Sequence, residues 1–484
     1  MFQGRFQHHA DAITVLGILG VMSVLLFHWK VPPITDLLPH LNQVQAFWWA
    51  PKRADGLYQI NWFAPNTFYY YILLLLCLVM PLLVAGKALW LGILALQMGG
   101  LLRLGRKLEA PYPLLLLALV LSFNLNFYWG FGNFLIAWSL FLWYVQMEDL
   151  SIYLKSFLTI LIVWSHVFFI LPLAVWQSLQ WRRKKGTQRN PSEWISLAAV
   201  TVWFAIWMAL DFGPKSSGTI AYNYSLADRL SLVWLRASVQ GSLQGWPEMV
   251  MAIVLVGVLV LPPLMEEATF KSQFQRRIYL VGAALLLVGL VSPDKGMNTV
   301  RASQRWIPLA FQAMVLATPR PTRLWWQRLY QLAVSTVAVC FLVATVLAWS
   351  RFQSEDASGL QEATADIPTN SRVLTLDFIG FGSIFLTRAV MHAGDLAQVE
   401  KGAIPNSTFA DNPAAFVRFA RKRAYTQLLE WYPNQLRLSD LEQSDVALIG
   451  GPWKVQDEAS HLGNLHPFRP INDGKYWHAY QIIK

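Results

Sequence analysis

The chain has 484 residues, of which 55% are hydrophobic and only 14% charged, with a formal net charge of +11. A soluble protein of that length needs more charge to cover its surface, so the soluble class is excluded, and repeated apolar runs of near bilayer length make this a polytopic helical membrane protein. The basic excess belongs to loops, headgroups and phosphates rather than to nucleic acid, and the two cysteines, both inside apolar runs without CxxC or Cys/His spacing, exclude a disulfide framework and a Cys/His metal motif.

The N-terminus, MFQGRFQHHADAITVLGILGVMSVLLF, runs from basic to apolar with no small-residue cleavage site after it, which predicts an uncleaved first span over about 11–29. Residues 32–66, PPITDLLPHLNQVQAFWWAPKRADGLYQINWFAPN, are the first place where acids, a histidine and tryptophans gather. Asp36 and His40 are four apart and share a face if the stretch is helical. Trp48, Trp49, Tyr58 and Trp62 have the apolar ring and polar edge that suit the headgroup layer. The expectation is a loop and short helix lying on the membrane, with a carboxylate at the water–lipid boundary. The plain alternative leaves Asp36 as a helix cap and His40 as an ordinary hydrogen-bonded residue. Asp55, in PKRADG, belongs to a turn.

Apolar runs follow at 66–86, 88–102, 110–126, 128–147 and 150–180, then near 191–212, 247–265, 277–293, 306–318 and 328–350. With the first span they amount to about eleven membrane segments. Basic residues set the sidedness. Arg5, the Arg103, Arg106, Lys107 cluster, the RRKK at 182–185, Arg276 with Arg277, and Arg320, Arg323 and Arg328 all belong inside. This parity requires that one segment before Arg103 not cross fully, and 66–86, as a tilted or re-entrant helix, is the favoured one. The run at 150–180, too long for one span, restores the parity if it is two half-length helices meeting near Ser165 and His166. Loops 213–246 and 294–305 then face outside, as does everything after the last span.

In the tail, SRVLTLDF, DVALIGG and WHAYQIIK have strand patterns, while SIFLTRAVMHAGDLAQVEK and NPAAFVRFARKRAYTQLLEWY have helical ones. The division expected is a membrane domain, 1–350, with a first outer loop at 30–66, followed by a small extracytoplasmic α/β domain, 351–484, long enough to bury its own core. Asn406 heads an N-S-T triplet, a glycosylation acceptor in a eukaryotic secretory pathway.

Few polar residues fall on the outer side. A carboxylate deep in lipid costs roughly 2.5–3.5 kcal/mol; Asp36, just past a span, avoids most of that and is placed to act as a general base. The segment DKGMNTVRASQRW carries Lys295, Arg301 and Arg305. The two arginines are four apart, so one helical face would offer both to a phosphate, whose oxygens match the guanidinium fork. The ordinary alternative is that they snorkel to headgroups. His166, in LIVWSHVFFILP, is either a functional intramembrane histidine or a packed, hydrogen-bonded one. NFYWGFGNF, with Asn133, is either a pocket wall or a tight interhelical turn. Lys215, Tyr222, Tyr224, Asp228 and Arg229 populate another outer loop without an assignable role. No Walker-type loop, dinucleotide fingerprint, zinc motif or nucleophile elbow is present.

The order of these features resembles the GT-C superfamily of membrane glycosyltransferases, and more narrowly a largely uncharacterised bacterial group within it. The matching stretches are PITDLLPHLNQVQ followed by YQINWFAPN, the WGFGNF turn, SHVFFILP, an arginine before a late span, and an outer tail with SRVLTLDF and MHAGDLAQVEKGAIPNSTF. The resemblance implies an integral protein of the bacterial cytoplasmic (inner) membrane with its C-terminal domain outside. It would transfer a sugar from a polyprenyl-phosphate donor to an acceptor at the outer face, among membrane lipids and without a nucleic-acid partner. Asp36 matches the acidic catalytic residue of the superfamily's first outer loop, with His40 as its polar neighbour. Arg301 or Arg305 matches the basic residues near the donor phosphate, with Lys295, His166 and Asn133 as further substrate-binding candidates. A divalent metal ion stays open as a cofactor. Many members carry a pair of acids here, whereas Leu37 follows Asp36 in this chain. Two other readings remain: a transporter or flippase of a lipid-linked substrate, which usually shows paired repeats, and a non-catalytic membrane scaffold with an apolar patch on its tail.

Overall fold

The structure, a computed structural model, describes residues 2–51, 56–62, 64–147, 151–181, 192–209, 220–239, 246–264, 269–296, 299–319, 324–380, 384–385, 387–412, 415–421, 429, 431–451, 468–473 and 475–483. Asp55, the RRKK at 182–185, Lys215, Arg320 and Arg323 lie outside the described residues.

Helix α1 (Phe2–His28) leads into Pro32 and Pro33, and α2 (Leu37–Trp49) starts directly after Asp36. A short strand β1 (Tyr58–Ile60) precedes α3 (Phe68–Leu76), whose nine residues are too few to cross a bilayer alone. Pro81 then opens α4 (Leu82–Lys107), which carries Arg106 and Lys107 in its last turn, where cations complement the carbonyl end of the helix. The runs expected at 66–86 and 88–102 are therefore one short helix and one of 26 residues. Asn124 separates α5 (Tyr112–Val120) from α6 (Leu125–Trp129), its side chain accepting from the amides of Asn126 and Phe127. After α7 (Gly132–Gln146), the long run at 150–180 breaks at His166 into α8 (Ile152–Ser165) and α9 (Ile170–Trp181), joined by a tight turn over Val167–Phe169. The freed amide of Val167 is satisfied by the Asn66 side chain at 3.1 Å, as a break among apolar helices requires.

Helices α10 (Ser192–Trp207), α11 (Leu226–Arg229), α12 (Leu232–Val239), α13 (Trp246–Leu264) and α14 (Gln273–Val291) follow. A hairpin of β2 (Lys295–Gly296) and β3 (Thr299–Val300) then leads to α15 (Trp306–Ala317) and α16 (Leu324–Ser354). Ala10–His28, Leu82–Lys107, Tyr112–Trp129, Gln273–Val291 and Trp325–Ser354 are long and apolar enough to cross a membrane, and shorter apolar helices pack among them. This is a polytopic helical membrane protein. Its apolar interior is bolted at one point by Gln312 of α15. Its side-chain oxygen accepts from Gln97 (3.1 Å) and from the Trp138 indole (2.8 Å), and its amide donates to the Ala118 carbonyl (3.2 Å). One side chain thus joins α15 to α4, α7 and α5 where no water competes.

The tail contains α17 (Leu360–Ala365), β4 (Arg372–Asp377), α18 (Ala393–Lys401), β5 (Ile404–Pro405), β6 (Val417–Phe419), α19 (Leu438–Glu442), β7 (Val446–Gly450), β8 (Phe468–Asp473) and β9 (Trp477–Ile482). Five strands form a mixed sheet in the order β5-β4-β7-β9-β8, parallel where β4 meets β5 and β7 and antiparallel at β9. β7 is buried along its whole length, as expected of a strand covered on both faces. The three expected strands are β4, β7 and β9.

Two helix expectations in the tail need correction. Among the described residues of SIFLTRAVMHAGDLAQVEK only Ala393–Lys401 is helical. In NPAAFVRFARKRAYTQLLEWY, Val417–Phe419 is a strand, paired antiparallel with β1 of the first loop, Tyr58 opposite Phe419. The open edge of β1 and an aromatic cluster beneath it (Phe416 stacks on Tyr70 at 5.2 Å and on Phe47 at 5.6 Å) outweigh the helical pattern. Tyr58 is accordingly buried against Phe419 and is not an interfacial aromatic. Asn406 is 4% exposed and its side-chain oxygen accepts from the Thr375 amide, so in the folded chain it offers no glycosylation acceptor.

Candidate functional site

The two residues preceding α2 cap a neighbouring helix. Thr35 donates its amide to the Tyr128 carbonyl at 2.9 Å, and Asp36 donates its amide to the Trp129 carbonyl at 3.0 Å. These carbonyls end α6, only five residues long; its Asn126 and Phe127 carbonyls accept from the amides of Phe131 and Gly130, which leaves those of Tyr128 and Trp129 for the chain before α2. The approach needs Gly130: its φ is +92°, and a Cβ there would stand 2.6 Å from the Asp36 nitrogen. The WGFGNF segment is thus the seat of Asp36.

The Asp36 carboxylate makes no hydrogen bond to the start of α2, so it is not the helix cap of the plain reading. Its Oδ1 lies 3.6 Å from Nε2 of His392, at the start of α18 in the tail. Nδ1 of His392 is 3.9 Å from Oδ2 of Asp395, and Asn42 of α2 hydrogen-bonds Oδ1 of the same aspartate. His40 points elsewhere: Nδ1 is 2.8 Å from the Tyr70 hydroxyl and Nε2 is 3.2 Å from the Gly130 carbonyl. A carbonyl only accepts, so Nε2 carries the proton and Nδ1 accepts from Tyr70. Burial pushes His40 down to about 4, against the raising influence of Asp36, and keeps it neutral at pH 7.

Arg301 and Arg305 do not share a helical face. Arg301 has φ +54° in a turn, and Arg305 is the residue before α15. The turn still turns both toward the same aromatic wall: the Arg301 guanidinium lies 4.4 Å from the Trp129 ring centre, and that of Arg305 3.4 Å from Phe131. Arg305 is 7% exposed, which rules out snorkelling. It donates to the Val300 carbonyl at 3.0 Å, and its own carbonyl accepts from the Asn126 amide group at 2.9 Å. Burial lowers Arg305 to about 9, opposed by the nearby charge of Asp36. Arg301 falls to about 10, again by burial, opposed by Tyr224 and Asp294. Both stay cationic at neutral pH. Among the described residues no carboxylate stands in ion-pair contact with Arg305.

The arginine turn is held from below by Arg229, only 2% exposed. It donates to the carbonyls of Leu290 (2.8 Å) and Ser292 (2.6 Å) and to Oδ2 of Asp294 (2.8 Å). Asp294 also accepts from the amides of Asn223 and Tyr224 and from the Ser303 hydroxyl. Two loops far apart in sequence are joined by one buried ion pair.

The other expected site residues divide. His166 lies within reach of the charge of Arg305, meets Phe134 edge-on at 5.0 Å, and accepts from the Phe168 amide at Nδ1. Asn133 accepts from the Tyr69 amide at 3.3 Å, a tie between α7 and α3 rather than a group aimed at the arginines. Lys295 is exposed on β2, its backbone paired with Val300 and Ala221, and is not drawn into the cluster. His392 and Asp395 were not expected. Their spacing at the start of α18 was visible in MHAGDLAQVEK, but nothing local says that this helix docks on α2. Among the described residues no group of three His, Cys, Asp or Glu side chains is arranged to hold a metal ion.

No family model matches the sequence, and no curated protein matches it. Among solved structures the chain is similar to the crystal structure of ArnT from Cupriavidus metallidurans bound to undecaprenyl phosphate. The identity is 10% and the TM-score 0.49, over 96% of this chain and 97% of that one. It is also similar to the cryo-EM structure of the arabinofuranosyltransferase AftD from Mycobacteria, at 13% identity and TM-score 0.45, over 97% of this chain but 40% of that one. The apo state of the same ArnT gives 11% identity and TM-score 0.41 over 98% of each chain. No residue role is carried over from them.

Proposed function

We propose that this protein is a GT-C-like glycosyltransferase that moves a sugar from a polyprenyl-phosphate donor to an acceptor hydroxyl at the outer membrane face. The observation that carries the reading is the meeting, around one Gly130 turn, of a carboxylate with the buried guanidinium of Arg305 and the half-buried guanidinium of Arg301, each set against an aromatic face. Arg305 is buried with no carboxylate in ion-pair contact among the described residues, a costly arrangement for a cation, and a phosphate is the anion that the guanidinium fork fits best. Asp36 takes the proton from the acceptor hydroxyl as its oxygen attacks the anomeric carbon. The bond from that carbon to the phosphate oxygen breaks, and its electron pair leaves with the polyprenyl phosphate. Arg301 and Arg305 stabilise the charge that collects there. His166 borders the phosphate side, and His40, neutral and doubly hydrogen-bonded, fixes the Gly130 carbonyl on the base side.

The test is release of sugar from radiolabelled polyprenyl-phosphate sugars by the purified protein in nanodiscs. Asp36→Asn is expected to lower turnover by about 10²–10⁴ while still binding undecaprenyl phosphate. Arg305→Gln is expected to weaken that binding about tenfold or more. Release undiminished in Asp36→Asn would move the base elsewhere. No release from any donor by folded wild-type protein would favour a transporter or scaffold.

A further inference from the structure

The tail supplies an imidazole that the first loop lacks. Both ring nitrogens of His40 are engaged, one by Tyr70 and one by Gly130, so His40 cannot exchange a proton with Asp36 without breaking a bond. His392 is arranged differently. Its Nε2 faces Oδ1 of Asp36 at 3.6 Å, its Nδ1 faces Oδ2 of Asp395 at 3.9 Å, and its ring meets Phe409 edge-on at 6.0 Å. It is 8% exposed, and Asp395 is 1% exposed. A cavity of about 10 Å³ lies against His392, lined also by Thr375, Asp395, Asn406 and Ser407 of the tail. It has room for about one water molecule. The charged and titratable groups that face the ring come from three directions: Asp36 and His40 from the first loop and α2, Asp395 from α18, and Asp377 from the end of β4.

We propose that His392 is the proton-accepting partner of Asp36, relieving its carboxylate of the proton it abstracts, so that the base of the first loop is complete only when the tail is docked. This rests on the function proposed above. After the acceptor proton reaches Asp36, Nε2 of His392 takes it and Asp36 returns to the carboxylate. The imidazolium is held by the charge of Asp395 until Nδ1 releases its own proton on the cavity side, leaving a neutral ring that carries its hydrogen on Nε2. Return of that ring to its starting tautomer through solvent closes the cycle with no net change in the protein. Asp395 is kept in place for this by Asn42, a residue of the loop whose base it serves.

The test has two arms on the full chain in nanodiscs. In the first, isotope-labelled histidines are titrated by NMR, with the His392 signal assigned by its loss in His392→Gln. Neutralising an opposite charge at this range in Asp36→Asn should lower the His392 midpoint by about one pH unit, and Asp395→Asn should lower it as well. A midpoint that is the same in wild type and Asp36→Asn overturns the proposal, whatever reaction the chain performs. In the second arm, His392→Gln should lower kcat for sugar release about tenfold or more, leave KM for the donor unchanged, and remove one ionisation from the pH profile. A raised KM with an unchanged profile shape would reduce His392 to a packing residue and overturn the proposal. If the wild type releases no sugar, the proposed function fails, and the NMR arm alone decides the Asp36–His392 pairing.

Discussion

Asp36 and Arg305 flank the same Gly130 turn, yet the protein holds them by different means. The arginine side is built within the helical domain. Arg301 and Arg305 lie in the turn leading to α15, and one buried ion pair, Arg229 with Asp294, ties that turn to the 220–229 loop. The acid side is built across the joint between loop and tail. Strands β1 and β6 pair, Gln43 accepts from the Val417 amide, Asn42 meets Asp395, Lys30 meets Glu400, and His392 reaches Asp36. One side is fixed by a desolvated charge pair, the other by many smaller ties across an interface. The first arrangement is stiff and fails all at once. The second tolerates the loss of single ties but depends on the tail staying docked.

Four measurements would break or sharpen this contrast. The largest effect is expected on the stiff side. Arg229→Met leaves Asp294 buried without its cation and should destabilise the protein by about 3–5 kcal/mol, read as a fall in thermal midpoint and loss of undecaprenyl phosphate binding. If the midpoint barely moves, the ion pair is not what holds the turn.

The acid side should respond to pH through His40. The folded chain resists protonation of this ring until about pH 4, while the unfolded chain takes the proton near 6.5. The unfolded state therefore binds more protons between these values. The stability is fully present above 6.5 and is lost as pH falls toward 4, by about 3 kcal/mol at most. A stability profile of His40→Gln should lack that part of the acid loss; an identical profile would place the acid sensitivity elsewhere.

Smaller changes are expected for single ties across the joint. Asn42→Ala removes a donor from a buried carboxylate and should cost about 1–3 kcal/mol, with faster proteolysis of the tail and little change in undecaprenyl phosphate binding. Loss of that binding together with the tail would show that the two sides are not independent. Lys30→Ala breaks a partly exposed pair at 2.6 Å and should change stability by about 0–1 kcal/mol, less at high salt.

Much of this molecule was legible from composition and period. Low charge and long apolar runs require helices that satisfy their own backbone, so the membrane class follows from the residue list. The break near His166 followed from length and charge parity, and three of the five strands of the tail sheet, β4, β7 and β9, from their short strand-like patterns. Asp36 stood out because it lies just past a span, near the bilayer yet spared most of the cost of a carboxylate in lipid. What the local pattern could not carry was pairing at a distance. The Val417–Phe419 segment has a helical pattern by itself and becomes a strand because β1 offers it an edge. Arg301 and Arg305 have helical spacing but lie in a turn, because Asn126 and the Arg229–Asp294 pair hold the backbone there. His392 and Arg229 gave no local signal of their roles, since the partners that define them are hundreds or tens of residues away in the chain. Hydropathy and periodicity are properties of neighbouring residues and are set by the sequence alone. The meeting of a carboxylate, an imidazole and two guanidinium groups is a property of packing, and only the tertiary structure decides it.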